Sequence, residues 1–153
     1  MCVITKVLGT LRDLGAQIRD HDPLFLTSDE RASPHMVGHT ERGRDLRISM
    51  PRGTELNDGD VLALDGGTAI IVQAAPEDLF AISPESAYYW GVAGYLLGNL
   101  HRPVRFTDDA MLTPADPMVA DLLNRLDIVY EQKAMPFVGK RFGSHTGEHH
   151  HEH

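Results

Sequence analysis

The strongest constraint on the fold is a change of pattern at Pro76. Before it, short apolar or alternating stretches recur at residues 3–11, 23–27, 44–50, 60–65 and 68–74. They are separated by Asp22-Pro23, Arg42-Gly43, Pro51-Arg52-Gly53, Asn57-Asp58-Gly59-Asp60 and Asp65-Gly66-Gly67. Asn, Asp and Gly tolerate the left-handed backbone that tight turns demand, so turn signals at strand-length spacing predict a small β domain over residues 1–75. No segment before Pro76 carries a sustained helical period.

After Pro76 the period lengthens. Residues 77–83 read as a strand, and Ser83-Pro84-Glu85 supplies an N-cap, a proline and an early acid in the order a helix start prefers. Tyr89, Val92, Ala93, Leu96, Leu97 and Leu100 then mark one helical face. Gly98-Asn99 and Pro103 end it. Two short strands flank a turn at Asp108-Asp109, and Asp116-Pro117 starts a second helix with Val119, Leu122, Leu123 and Leu126 on its apolar side. A strand from Asp127 closes the series. Strand, helix, strand, strand, helix, strand is the ferredoxin-like order, expected over residues 76–138. The predicted class is therefore α+β: a small β domain, a ferredoxin-like βαββαβ domain, and a tail over residues 139–153 too polar to offset the entropy of ordering.

The tail concentrates what chemistry the composition offers. Five of nine histidines, His145, His149, His150, His151 and His153, crowd into SHTGEHHHEH. Neutral imidazole suits nickel, copper and zinc, and loose spacing lets several rings meet one ion. A purification tag is expected to be an unbroken run, whereas this one is interrupted by Glu148 and Glu152. His101 lies just past the end of the first helix, which carries Gly91, Gly94 and Gly98 on roughly one side. Glycine weakens a helix by about 1 kcal/mol relative to alanine, so three invite close approach of another backbone, such as a second subunit. By position alone His101 reads either as a helix cap or surface residue, favoured by the macrodipole, or as a ligand near a dimer axis.

Other classes are disfavoured. A surplus of 22 acidic over 14 basic residues opposes general nucleic-acid binding, which needs a basic face. No apolar run approaches the ~20 residues of a membrane span, and the N-terminus lacks the pattern of a signal peptide. The single cysteine, Cys2, excludes an internal disulfide framework and fits a reducing cytoplasm. His35 and His39 are expected in a loop because of Pro34 and Gly38, and His21 in a turn between Asp20 and Asp22. Asp108-Asp109 is read as a hairpin turn rather than a carboxylate pair. Phosphate-loop, zinc-protease and nucleophile-elbow motifs are absent, so no enzyme is expected.

Residues 95–104, YLLGNLHRPV, resemble the metal-site segment of the urease accessory protein UreE family of nickel metallochaperones. Residues 50–67, residues 108–137 and the histidine-rich end agree with it, so the resemblance spans nearly the whole chain. It implies a peptide-binding-like N-terminal domain and a homodimer formed through the ferredoxin-like domain. It further implies one Ni2+ shared by His101 from two subunits, with tail histidines as supplementary ligands and Zn2+ or Cu2+ able to substitute. Its implied partners are the urease apoprotein and an accessory GTPase. Two positions depart from the family: Leu100 stands where arginine is usual and Leu96 where many members have histidine. With no histidine between His101 and His145, any extra ligands are expected from the tail. About nine flexible residues span roughly 15–18 Å, so reach depends on where Phe142 leaves the fold. The rival readings are a metal-storage protein using the tail alone and a peptide-binding co-chaperone.

Overall fold

The structure is a computed structural model that describes residues 2–142. The chain divides into two compact units, Met1–Ala75 and a second that begins at Pro76. The class is α+β: two sheets and short helices in the first unit, one sheet and two longer helices in the second. Among the described residues no helix is long and apolar enough to cross a membrane.

In the first unit, β1 (Cys2–Ile4), β2 (Gly9–Thr10), α1 (Leu11–Leu14), β3 (Asp20–Leu26), α2 (Ser28–Ala32), β4 (His35–His39), β5 (Asp45–Ser49), β6 (Asp60–Asp65) and β7 (Thr68–Ala74) follow in order. One sheet runs β1-β5-β4 and the other β2-β6-β7-β3. Alternation of side chains sends Leu46 and Ile48 of β5 and Leu24 and Leu26 of β3 into one core with Leu62, Ile70 and Val72. Asp22 is buried on the same face as Leu24, where its carboxylate accepts from Thr40 Oγ1 at 2.8 Å and the Arg42 N–H at 2.9 Å. Such pairing offsets the cost of burying the charge.

Here the structure corrects two sequence expectations. His35 and His39 lie on edge strand β4, paired antiparallel with β5, and not in a loop. Gly38 serves close packing rather than a turn: a Cβ there would sit 3.0 Å from Leu24 Cδ1. His21 likewise falls within β3, whose parallel pairing with β7 places it opposite Ala69.

The second unit contains β8 (Pro76–Ile82), α3 (Ala87–Asn99), β9 (Arg105–Phe106), β10 (Met111–Pro114), α4 (Pro117–Arg125) and β11 (Tyr130–Pro136). Its sheet order, β11-β8-β10-β9, with every pair antiparallel, is the ferredoxin-like arrangement. Ala93 and Leu97 of α3 and Val119 and Leu123 of α4 cover Phe80, Ile82 and Met111 on one sheet face. Helix α3 starts later than its sequence suggests. Ser86 is the N-cap, accepting from the Tyr89 N–H at 3.2 Å, while Ser83 Oγ donates to the Asp109 carbonyl. Asp116 caps α4 with Pro117 at its first turn, as the sequence predicts.

Residues 139–142, placed in the appendage on composition, still pack on this unit. Val104 and Lys140 exchange backbone hydrogen bonds at 2.9 and 3.2 Å, and the rings of Phe106 and Phe142 lie 5.5 Å apart. The five histidines expected in the tail, His145, His149, His150, His151 and His153, lie outside the described residues.

Candidate metal centre

His101 is set by the way α3 ends. Leu100 is the C-cap, and His101 follows with φ 58°, in the left-handed region. Its N–H donates to the Gly98 carbonyl at 3.0 Å, and the Arg102 N–H reaches the Leu97 carbonyl at 3.0 Å. These two bonds are the Schellman closure, in which the residue after the C-cap is usually glycine. A β-carbon in this conformation crowds the following carbonyl, and His is among the few residues that visit it with any frequency.

The loop beyond it is held at every step. Arg102 pairs with the Asp116 carboxylate, whose other oxygen accepts from the Met118 N–H at 2.8 Å and the Val119 N–H at 3.3 Å. One carboxylate thus caps α4 and tethers the loop that follows α3. The Pro103 carbonyl accepts from the buried Thr113 Oγ1 at 2.9 Å, and Val104 is bridged to Lys140. Amid these anchors His101 is exposed, so a rigid backbone presents an imidazole to solvent.

Beside it, Leu96, Asn99 and Leu100 of the α3 end face Met118, Leu122 and Arg125 of α4 across a shallow groove. The exposed side of α3 carries Tyr88 and Tyr95, with open space over Gly91 and Gly98. Gly94 lies 3.8 Å, at its Cβ position, from the Phe106 ring.

Other histidines are placed apart from this loop in sequence and unit. His39 Nδ1 lies 2.5 Å from Asp45 Oδ1 across the β4–β5 pair, and His35 Nδ1 lies 3.2 Å from Ser49 Oγ. Neither contact was legible beforehand, because both depend on pairing of a strand that the sequence hides. Cys2 is exposed on β1. Among the described residues no three His, Cys, Asp or Glu side chains gather as a metal-holding group.

Comparison with known proteins agrees along the whole chain. The family model described as the UreE urease accessory protein, N-terminal domain, matches residues 4–75, and its C-terminal counterpart matches residues 77–153. The urease accessory protein UreE of Ralstonia nicotianae is 35% identical over 154 residues, covering 100% of this chain and 72% of that protein. That of Geobacillus kaustophilus is 33% identical over 131 residues, covering 86% and 88%. That of Burkholderia lata is 36% identical over 130 residues, covering 85% of this chain and 62% of that protein. The chain thus spans under two thirds of the length of the Burkholderia lata relative.

Proposed function

The chain belongs to the UreE family of urease accessory proteins, an accessory family rather than a family of enzymes, and from that membership we propose that it carries nickel to apo-urease during active-site assembly. Two protomers meet so that their His101 rings share one Ni2+, and His145, His149, His150, His151 and His153 of the tails complete the shell. The accessory GTPase and the urease apoprotein are its partners. Zn2+ and Cu2+ compete for the same imidazoles, in keeping with the affinity order of nitrogen sites.

The observation that carries this reading is the placement of His101. A left-handed histidine, costlier than glycine in that conformation, is exposed at the tip of a loop whose other residues are all tied down. One rigid imidazole per protomer also suits a carrier. It fixes where the ion sits, while the remaining ligands come from a tail that can let go. Release follows from a competing partner or from protonation of imidazoles, whose ordinary pKa of about 6.5 lies close to neutrality.

An activation assay tests delivery. Apo-urease supplied with nickel through the intact protein in the presence of a competing chelator is expected to gain activity, and His101→Ala to deliver little. Equal activation by both proteins would contradict delivery through this residue.

A further inference from the structure

The edge of the first unit's three-stranded sheet carries two imidazoles that the nickel reading leaves unused. Strand β4 lies outermost, and among the described residues no strand pairs with its free edge. The Met50 N–H donates to the Pro34 carbonyl at 2.7 Å, and the Thr40 N–H to the Arg44 carbonyl at 2.9 Å. Bonding in an antiparallel pair alternates, so the even-numbered residues from Pro34 to Thr40 are the ones bonded to β5. His35, Val37 and His39 therefore turn their N–H and C=O groups outward. The Ser33 hydroxyl donates to the His35 carbonyl at 3.1 Å, which leaves that oxygen a second lone pair. The three side chains share the exposed face, while Met36 and Gly38 turn to the core. Each ring is oriented through Nδ1, His39 by Asp45 Oδ1 at 2.5 Å and His35 by Ser49 Oγ at 3.2 Å. An acceptor at Nδ1 keeps the ring proton there and leaves Nε2 to a metal, the arrangement that stands behind most metal-bound histidines.

Four residues of strand span about 13 Å, so His35 and His39 of one protomer cannot meet on one ion. A second copy removes that obstacle. When two β4 strands run antiparallel about Val37, the outward groups of all three residues find partners, and His35 of each copy falls opposite the partner's His39. Cβ atoms of such opposed residues lie about 4.5–5.5 Å apart, close enough for two imidazole nitrogens to share an ion at about 2.0–2.1 Å from each. We propose that β4 is a metal-dependent self-association edge, with a divalent transition ion held at each end between His35 of one copy and the partner's His39. Imidazole donors suit zinc, copper or nickel. Asp45 sets a carboxylate behind each bound cation, so the charges of the pair are complementary. From His35 to His39 the edge carries none of the lysines or prolines that commonly oppose pairing of a free strand. The proposal goes beyond the nickel reading, because it uses neither His101 nor the tail.

The test uses the full-length chain carrying His101→Gly and alanine at His145, His149, His150, His151 and His153, so that the other proposed ligands are gone. Sedimentation velocity is expected to show its mass rising roughly twofold on addition of zinc and returning with a chelator. His35→Ala and His39→Ala are each expected to abolish this response, since either change breaks both ends of the pair. Mixed together, the two variants are expected to regain it in part, because one end of a mixed pair keeps both imidazoles. Recovery on mixing also shows that neither variant has merely unfolded. Val37→Lys sets two ammonium groups face to face at the centre and is expected to prevent association, while the half-exposed position spares the core. A mass unchanged by zinc, association that survives any of the three substitutions, or a mixture that stays inert overturns the proposal. Association that needs no zinc overturns the metal's part in it.

Discussion

His101 and Asp127 both occupy backbone positions that glycine ordinarily takes, with φ of 58° and 53°. The two are built alike: the Asp127 N–H meets the Asn124 carbonyl and the Ile128 N–H meets the Leu123 carbonyl, repeating at the end of α4 the closure seen at the end of α3. This pair is an internal control. His101→Gly and Asp127→Gly are each expected to raise stability by about 0.5–1 kcal/mol, because relief of the left-handed strain outweighs glycine's entropy cost. Urea unfolding without metal measures the gain. Only His101→Gly is expected to abolish tight nickel binding. Asp60 offers a second residue-scale test. Burial pushes its carboxyl above the ordinary carboxylate range, against the Asn57 N–H at 2.7 Å that lowers it, and the neighbouring Asp58 charge raises it further. A carboxyl with a raised folded pKa favours the fold at low pH and disfavours it as pH rises through that value. Asp60→Asn is therefore expected to stabilise the protein at pH 7 and to lose that advantage in acid, as read from unfolding midpoints across pH.

At the scale of elements, α4 depends on the Asp116 carboxylate. Asp116→Ala removes its N-cap and is expected to cost about 1–2 kcal/mol, together with the tether to Arg102. Asp116→Asn keeps a capping oxygen but removes the charge that holds Arg102, so stability is expected to fall less while the 101–104 loop loosens. Amide exchange at Arg102 and Val104 checks this. The elements also mark where sequence reading succeeds. Periodicity located both long helices and the order of strands in the second unit, because one buried stripe per helix recurs at 3.6 residues. It hid β4, since Pro34 and Gly38 carry turn chemistry and the reason for Gly38, close contact with Leu24, exists only after folding. Ser83 looked like a cap because Pro84 follows it, yet its hydroxyl is used on the Asp109 carbonyl and Ser86 caps the helix instead.

For the whole molecule, each unit has its own apolar core, the first built on Leu24, Leu46 and Val72 and the second on Ile82, Leu97 and Leu123. The candidate site was only half legible. His101 stood out through the residues around it, but its left-handed backbone and the pinning of its loop arise from contacts with Asp116, Thr113 and Lys140, distant in sequence. Whether two protomers share one nickel through His101 is read by calorimetric titration of nickel, with oligomeric state measured on the same samples. A shared site is expected to appear as one tight nickel per dimer, weakened when the tail histidines are replaced by alanine and lost in His101→Ala. Binding that follows the tail alone, with His101→Ala indistinguishable from the intact chain, would contradict it and leave metal storage as the better description.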